Sequence, residues 1–230
     1  MRQALIQALA QTGQNLSEHQ LDQLCEFGRL LLEKNQVMNL TAITEPEAVA
    51  QLHFLDSLTV LQAADCRGKS VIDIGCGAGF PGVPMVIAEP TIRLTLLDSL
   101  QKRMNWLREV LPEVGITARV EAARAEEFVS GCRESYDLAV SRAVARLNIL
   151  CELCLPYVKV GGQFLALKGA MTREEVEEAR HAISVLGGKV TGIREFPIAD
   201  AVHRIVVIEK VRPTPGAYPR KFAKIKQSPL

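Results

Sequence analysis

Residues 71–84 read VIDIGCGAGFPGVP. An apolar, β-branched run ends in an acid, Asp73, and four glycines follow within eight residues: Gly75, Gly77, Gly79 and Gly82. A strand, a glycine loop and a helix start together form a cradle. Glycines let the backbone turn sharply and approach a ligand, and the helix start presents free N–H groups.

Two ligands compete for this cradle. Gly77-x-Gly79-x-x-Gly82 satisfies the dinucleotide fingerprint, and Asp98 lies near the distance of a ribose-binding acid. Charge separates the two readings. Beside a pyrophosphate Asp73 is a like charge, whereas beside the sulfonium and ammonium of S-adenosylmethionine it is an attractive one. Asp73 therefore favours the cationic cofactor over NAD. Asp98, ending LTLLDS, can accept both ribose hydroxyls of an adenosine; its alternative duty is to cap the helix SLQKRMNWL, which Ser99 can do as well.

Outward from the cradle the chain alternates. SVIDI, RLTLLD, ITARVE, YDLAVS, GQFLALK, GKVTGI and HRIVVIEK read as strands, with helices expected to start near Gly82, Ser99, Ala125, Arg142 and Thr172. This pattern predicts an α/β fold: a Rossmann-like class I methyltransferase sheet, helices on both faces, with an antiparallel edge strand. GKVTGI and HRIVVIEK are joined only by REFPIADAV, read as a loop, so they form an antiparallel pair at the edge. A small helical N-terminal region occupies residues 1–66. Ser17 and Gln20 have capping-box spacing, and Thr44 and Glu47 repeat it with Pro46 in the first turn. The sheet domain spans 67–210, and 211–230 reads as a basic tail, rich in proline and without an apolar period.

Composition narrows the function classes. The chain has 230 residues and a net charge of +1, so nucleic-acid contact requires local patches. No stretch resembles a signal peptide or a membrane span, which places the expectation in the cytoplasm, away from membranes. Six scattered cysteines match no secreted scaffold, and Cys151-x-x-Cys154 has no second pair or nearby histidine to complete a zinc site, so the thiols read as structural and no metal is expected. Trp106 and Phe164 read as core. No apolar seam suggests self-association, and a monomer is expected.

DIGCGAGFPGVP, LLDSLQKRMNWL, RAEEF, DLAVSRAVA and LALKGA, with NLTAI, HFLDSL and YPRK, together resemble the bacterial 16S ribosomal RNA guanine-N7 methyltransferase family, also called the glucose-inhibited division protein B family. The resemblance spans about residues 35–230. It implies a class I enzyme that uses S-adenosylmethionine to methylate N7 of a guanine (position 527, in the 530 loop) of 16S rRNA, as naked rRNA, in the small ribosomal subunit or in its precursor. It also implies a cofactor site at Gly75 and Phe80, Asp98 at the ribose, Ala125 and Glu126 beside the adenine, and Arg142. Gly77 and Asp73 join that site from the reading of the loop.

Guanine N7 carries a free lone pair, so the reaction needs in-line alignment more than a general base. None of the four histidines sits in a triad context. Arg142 and Lys168, each ending a strand at the rim where parallel sheets bind ligands, are the candidate catalytic residues. For Arg142 the competing reading is a structural ion pair; for Lys168 it is a solvated strand end. His53 and Asp56, three apart on one helix face, are expected to form a buried polar junction with Asn39. Lys102, Arg103, Arg220, Lys221 and Lys224 are the candidate RNA contacts, with Tyr218 and Phe222 available for stacking. A methyltransferase acting on a small molecule or a protein, and a non-enzymatic RNA-binding assembly factor, remain the alternatives.

Overall fold

The computed structural model describes residues 1–142 and 145–230. Seven strands form one sheet: β1 (Ser70–Ile74), β2 (Arg93–Asp98), β3 (Arg119–Ala122), β4 (Tyr136–Arg142), β5 (Val158–Lys168), β6 (Gly188–Ile198) and β7 (Ala201–Lys210). Their order is β3-β2-β1-β4-β5-β7-β6. β1 to β5 are parallel, β7 runs antiparallel to β5, and β6 runs antiparallel to β7. The expected antiparallel pair therefore lies at the edge, with β7, the reversed strand, one place inside it. The strand order reverses between β1 and β4, the crevice where open α/β sheets bind ligands.

REFPIADAV is strand rather than loop. β6 and β7 pair from Gly188↔Lys210 to Ile198↔Ala201, leaving only Ala199 and Asp200 as the turn. Pro197 lacks an N–H, but an edge strand tolerates that loss. Helix starts also shift from expectation. Arg142 is still strand, and the next helix is Leu147–Cys154; Ala143 and Val144 of the SRAVA stretch lie outside the described residues. The helix after β2 begins at Gln101 with no side-chain cap, so neither Asp98 nor Ser99 caps it.

Ser17 forms the full capping box with Gln20 at the start of Glu18–Met38. Thr44 does not repeat it: Pro46 takes the first helical position, which makes Glu45 the N-cap, without a side-chain bond. From there the chain runs through a π-helical segment, Val49–Leu55, into Asp56–Leu58.

One sheet face and the N-terminal helices share a single apolar cluster, in which Leu24, Phe27 and Phe54 pack with Val83, Trp106 and Leu107. The opposite face holds Tyr157, Phe164, Cys151 and Cys154, all fully buried. Burial pushes both thiols well above their ordinary range. Among the described residues no helix is long and apolar enough to cross a membrane, and no cluster of three or more metal-ligating side chains occurs.

Residues 211–230 do more than trail from the sheet. Arg220 makes a two-pronged pair with Glu152 (Nε–Oε1 2.8 Å, Nη2–Oε2 2.6 Å), and its backbone N–H also donates to Oε1. The Glu152 side chain is completely buried. The helix Phe222–Gln227 then buries Ile225. Breaking such a pair from one side strands a buried charge. Arg220→Ala is therefore expected to lower unfolding free energy by about 3 kcal/mol, and adding Glu152→Gln to restore much of it. Urea titration of the single and double variants checks this; additive losses would refute the pairing.

Candidate active site

The glycine loop is held from below by its own strand. Gly75, Gly77 and Gly79 have φ of 72°, 57° and 93°, a region costly for other residues. At Gly79 a Cβ would meet Val83 Cγ2 at 2.7 Å. Asp73 is fully buried and its Oδ2 accepts the Gly82 N–H at 2.8 Å, while Oδ1 has no partner among the described residues. Asp98 Oδ2 accepts the Gly77 N–H (3.0 Å) and Oδ1 the Leu100 N–H (2.9 Å), so this acid braces the loop and keeps lone pairs for a further donor.

Three hollows follow one another along this rim. The first, about 160 Å³, lies beside Gly75, Asp98, Ala125, Glu126 and Phe222. The second, about 310 Å³, shares Gly75 and Asp98 with it and continues past Gly77 and Phe80 to Arg103, His53 and Arg142. The third, about 740 Å³, shares His53 and Arg142 with the second and is lined further by Asp56, Lys168, Glu175 and His203. Adjacent hollows thus share lining residues.

Arg142 is the wall between the second and third. Its guanidinium donates to the Leu52 carbonyl (3.1 Å), to Asp56 Oδ2 (3.2 Å) and to His53 Nδ1 (2.9 Å), and it lies 5.0 Å from the centre of the Phe80 ring. His53 stacks on Phe80 at 4.4 Å, and its Nε2 bonds the Thr41 hydroxyl at 2.8 Å. Burial, then the charge of Arg142, push His53 down to about 4, so it is a neutral acceptor for Arg142. Asp56 Oδ1 also accepts from His203 Nδ1 at 2.7 Å. Lys168 is not a solvated strand end: Nζ donates to the Ala145 carbonyl and pairs with Glu175 Oε2, both at 2.6 Å.

The sequence-predicted residues divide accordingly. Gly75, Gly77, Phe80, Asp98, Ala125, Glu126, Arg142 and Lys168 all line the hollows. Asp73 lies beneath the loop, lines none of the three hollows and holds the Gly82 N–H. Asn39 is the left-handed C-cap of its helix, and Thr41 occupies the place beside His53 expected of it. Arg103 faces the second hollow, whereas Lys102, Lys221 and Lys224 are exposed on the surface and the Arg220 guanidinium is engaged by Glu152. His203, Glu175 and Phe222 were not singled out for the site by motif. They arrive from β7, the helix Thr172–Glu178 and the C-terminal helix, far along the chain.

The donors suit a cationic adenosine cofactor better than a dinucleotide. The first N–H of the helix Gly82–Ala88, which a pyrophosphate would need, is already given to Asp73. An unpartnered buried carboxylate oxygen beneath the loop favours positive charge nearby.

A seven-stranded sheet of this order, with a glycine loop at its switch point and an acid ending the second strand, defines a class I methyltransferase. Residues 20–202 match the family described as rRNA small subunit methyltransferase G, and the chain belongs to that family. Two curated relatives named ribosomal RNA small subunit methyltransferase G come from Alkaliphilus metalliredigens and Alkaliphilus oremlandii. The first is 46% identical, over 95% of this chain and 94% of its own; the second is 48% identical, over 94% and 92%. The crystal structure of a SAM dependent methyltransferase from Aquifex aeolicus superposes with a TM-score of 0.55 at 15% identity, covering 74% of this chain and 96% of that one, a likeness of fold alone.

Two buried groups give opposite pH signatures. Burial pushes Asp73 from 3.8 up to about 7, against the Gly82 hydrogen bond and the charge of Arg142. Between those values the folded protein holds a proton that the unfolded chain releases, so stability from Asp73 falls as pH rises through that window. His53, lowered from 6.5 to about 4, lacks a proton that the unfolded chain binds, so its contribution rises with pH. Asp73→Asn is expected to remove the first slope, gaining on wild type by up to about 4 kcal/mol between pH 4 and 7. Urea unfolding of the ligand-free proteins across that range reads it; parallel pH profiles would refute a buried, protonated Asp73.

Proposed function

We propose that this chain transfers the methyl group of S-adenosylmethionine to N7 of a guanine in 16S rRNA, within the small ribosomal subunit or its precursor. The observation that carries the reading is the adjacency of the hollows: the pair that shares Gly75 and Asp98 suits the cofactor, and the larger one beyond His53 and Arg142 suits the base.

In this reading Asp98 accepts the ribose hydroxyls, Ala125 and Glu126 flank the adenine with Phe222, and the bare backbone of Gly75 and Gly77 lets the rest of the cofactor lie close. When bound, S-adenosylmethionine supplies an electrophilic methyl group on a sulfonium centre. The protein's task is then alignment and exclusion of water, because N7 needs no deprotonation before it attacks. Arg142 is fixed by bonds to Leu52, Asp56 and His53 and shapes the passage between cofactor and base. His53, already accepting from Arg142, is not a free base. A base in a structured loop has to be splayed out to enter a recessed cavity. The exposed Lys102, Lys221 and Lys224, with Arg103 at the second hollow, supply positive charge for flanking phosphates. A pure binding factor has no use for the loop and its braces, which disfavours the assembly-factor alternative.

Labelled methyl transfer from S-adenosylmethionine to unmodified small subunits and to their extracted rRNA tests the reading, with the modified base mapped. One N7-methylated guanine is expected, and Arg142→Ala is expected to reduce its formation at least tenfold. No label on either substrate, with the cofactor bound, would overturn the rRNA assignment.

A further inference from the structure

We propose that Glu175, held by Lys168, reads the Watson–Crick edge of the target base and is the residue that makes the third hollow selective for guanine. The inference rests on the methyltransferase reading above and goes beyond it by naming how the base is recognised.

The cavity has the volume and lining of a small-ligand site, with apolar walls from Ile43, Leu52 and Leu167 and a few convergent polar groups. Lys168 and Glu175 form a cation–carboxylate pair inside it, with 6% and 18% of their side chains exposed. Glu175 Oε2 is fully occupied: it takes the Lys168 ammonium and the Leu147 N–H at 2.8 Å. Among the described residues Oε1 accepts no hydrogen bond. The Lys168 ammonium has three N–H groups, two of them placed on Ala145 and Glu175. Among the described residues, one Lys168 donor and one Glu175 carboxylate oxygen are thus uncommitted in a pair that lines the cavity.

That pair complements one base edge. Guanine presents the O6 acceptor next to the N1–H and N2–H₂ donors, whereas adenine presents an amine where guanine has O6. An ammonium suits O6 and a carboxylate suits N1–H and N2–H₂. Adenine in the same pose would set its amine against the ammonium.

The order of these groups around the cavity also matches the order around the base. Passing round guanine from the reacting atom, the sequence is N7, O6, N1, N2. Passing across the sheet from the glycine loop of β1, the sequence is Arg142 at the end of β4, Lys168 at the end of β5, then Glu175 in the helix that follows β5. Arg142 is the register partner of Leu167, so Lys168 lies one residue further along β5, and both Arg142 and Lys168 line the third hollow. With N7 at the Arg142 wall, toward the cofactor hollow, O6 falls to Lys168 and the N1/N2 edge to Glu175. Lys168 serves two purposes: it binds O6 and it keeps the carboxylate turned so that Oε1 is left for the base.

Inosine keeps N7, O6 and N1–H and lacks only the N2 amine. The test uses small subunits reconstituted from 16S rRNA carrying guanosine or inosine at the mapped position, with kcat/KM for methyl transfer measured for each. For the wild-type enzyme a preference for guanosine of about tenfold to a hundredfold is expected. In Glu175→Gln the Lys168 ammonium retains the amide carbonyl, which turns the amide N–H groups toward the base; the preference is expected to vanish or invert. Affinity for S-adenosylmethionine, measured by calorimetry, is expected to be unchanged in the variant.

Equal use of guanosine and inosine by the wild-type enzyme overturns the proposal without recourse to any variant. A Glu175→Gln enzyme slowed equally on both RNAs, with the preference intact, also overturns it and leaves Glu175 as a support for Lys168. No transfer to either RNA by the wild-type enzyme overturns the rRNA reading and this one with it, which separates the two failures.

Discussion

The site is organised around a guanidinium with nowhere else to go. Arg142 ends β4 with only 16% of its side chain exposed, and among the described residues its side-chain bonds run to one stretch of chain: Leu52, His53 and Asp56. That stretch is π-helical up to Leu55, and the wider turn brings a carbonyl, an imidazole and a carboxylate to bear on one planar group. Two separate nitrogens share the work, Nη1 on Leu52 and Asp56 and Nη2 on His53, a span that the single nitrogen of a lysine does not offer. Phe80 adds the fourth side of the enclosure, under the guanidinium and against His53. One side chain therefore ties the N-terminal helical region, the glycine loop and the sheet together, and the boundary between the second and third hollows follows from it.

Asp73 is the opposite case, a charge whose surroundings do not satisfy it. A carboxylate buried with one oxygen unpartnered disfavours its own ionised form, and the shift toward neutral pH records that cost. Its hydrogen bond to Gly82 explains why the acid is there: it fixes the start of the following helix and hence the path of the loop. A Cβ at Gly82 would lie 3.0 Å from Asp73 Oδ2 and 2.8 Å from Leu96 Cδ2, so acid and glycine are a matched set. A cationic ligand above the loop makes the ionised form less unfavourable. The acid thus sets the loop geometry directly and the electrostatic field beneath the loop at the same time.

Local chemistry was legible in the sequence, and long-range pairing was not. Alternating apolar runs placed all seven strands, and the missing helix before HRIVVIEK placed the antiparallel pair. Ser17 and Thr44 show the limit of a spacing rule: both have the right residue three places on, but Pro46 shifts the second helix start by one position and leaves Thr44 outside it. Asn39 and Thr41 sit two apart in NLTAI, and only the left-handed turn at Asn39 decides which of them meets His53. His203 is 147 residues from Asp56, so nothing short of the fold could join them. Glu175 falls in TREEVEEA, where four acids look alike as a solvated helix face and only one is turned inward against Lys168.

The C-terminal segment shows how such pairings give function to residues that look dispensable. Its basic composition reads as a solvated tail, yet its cations have different fates: Arg212 donates to the Ser184 carbonyl, and Arg220 sets its planar fork on both oxygens of a buried carboxylate. Once Arg220 is docked on Glu152, Phe222 two residues later comes to the first hollow, where Arg124 lies 5.3 Å from its ring centre. Glu152 belongs to the helix Leu147–Cys154, and the N–H of Leu147 at its start is the one held by Glu175. That helix therefore spans from the wall of the third hollow to the wall of the first, with a carboxylate contact at each position. The two ends of the site are set by one rigid element, so their separation does not depend on the loops between them, and a reaction that requires in-line alignment needs that fixed distance more than it needs any single catalytic group.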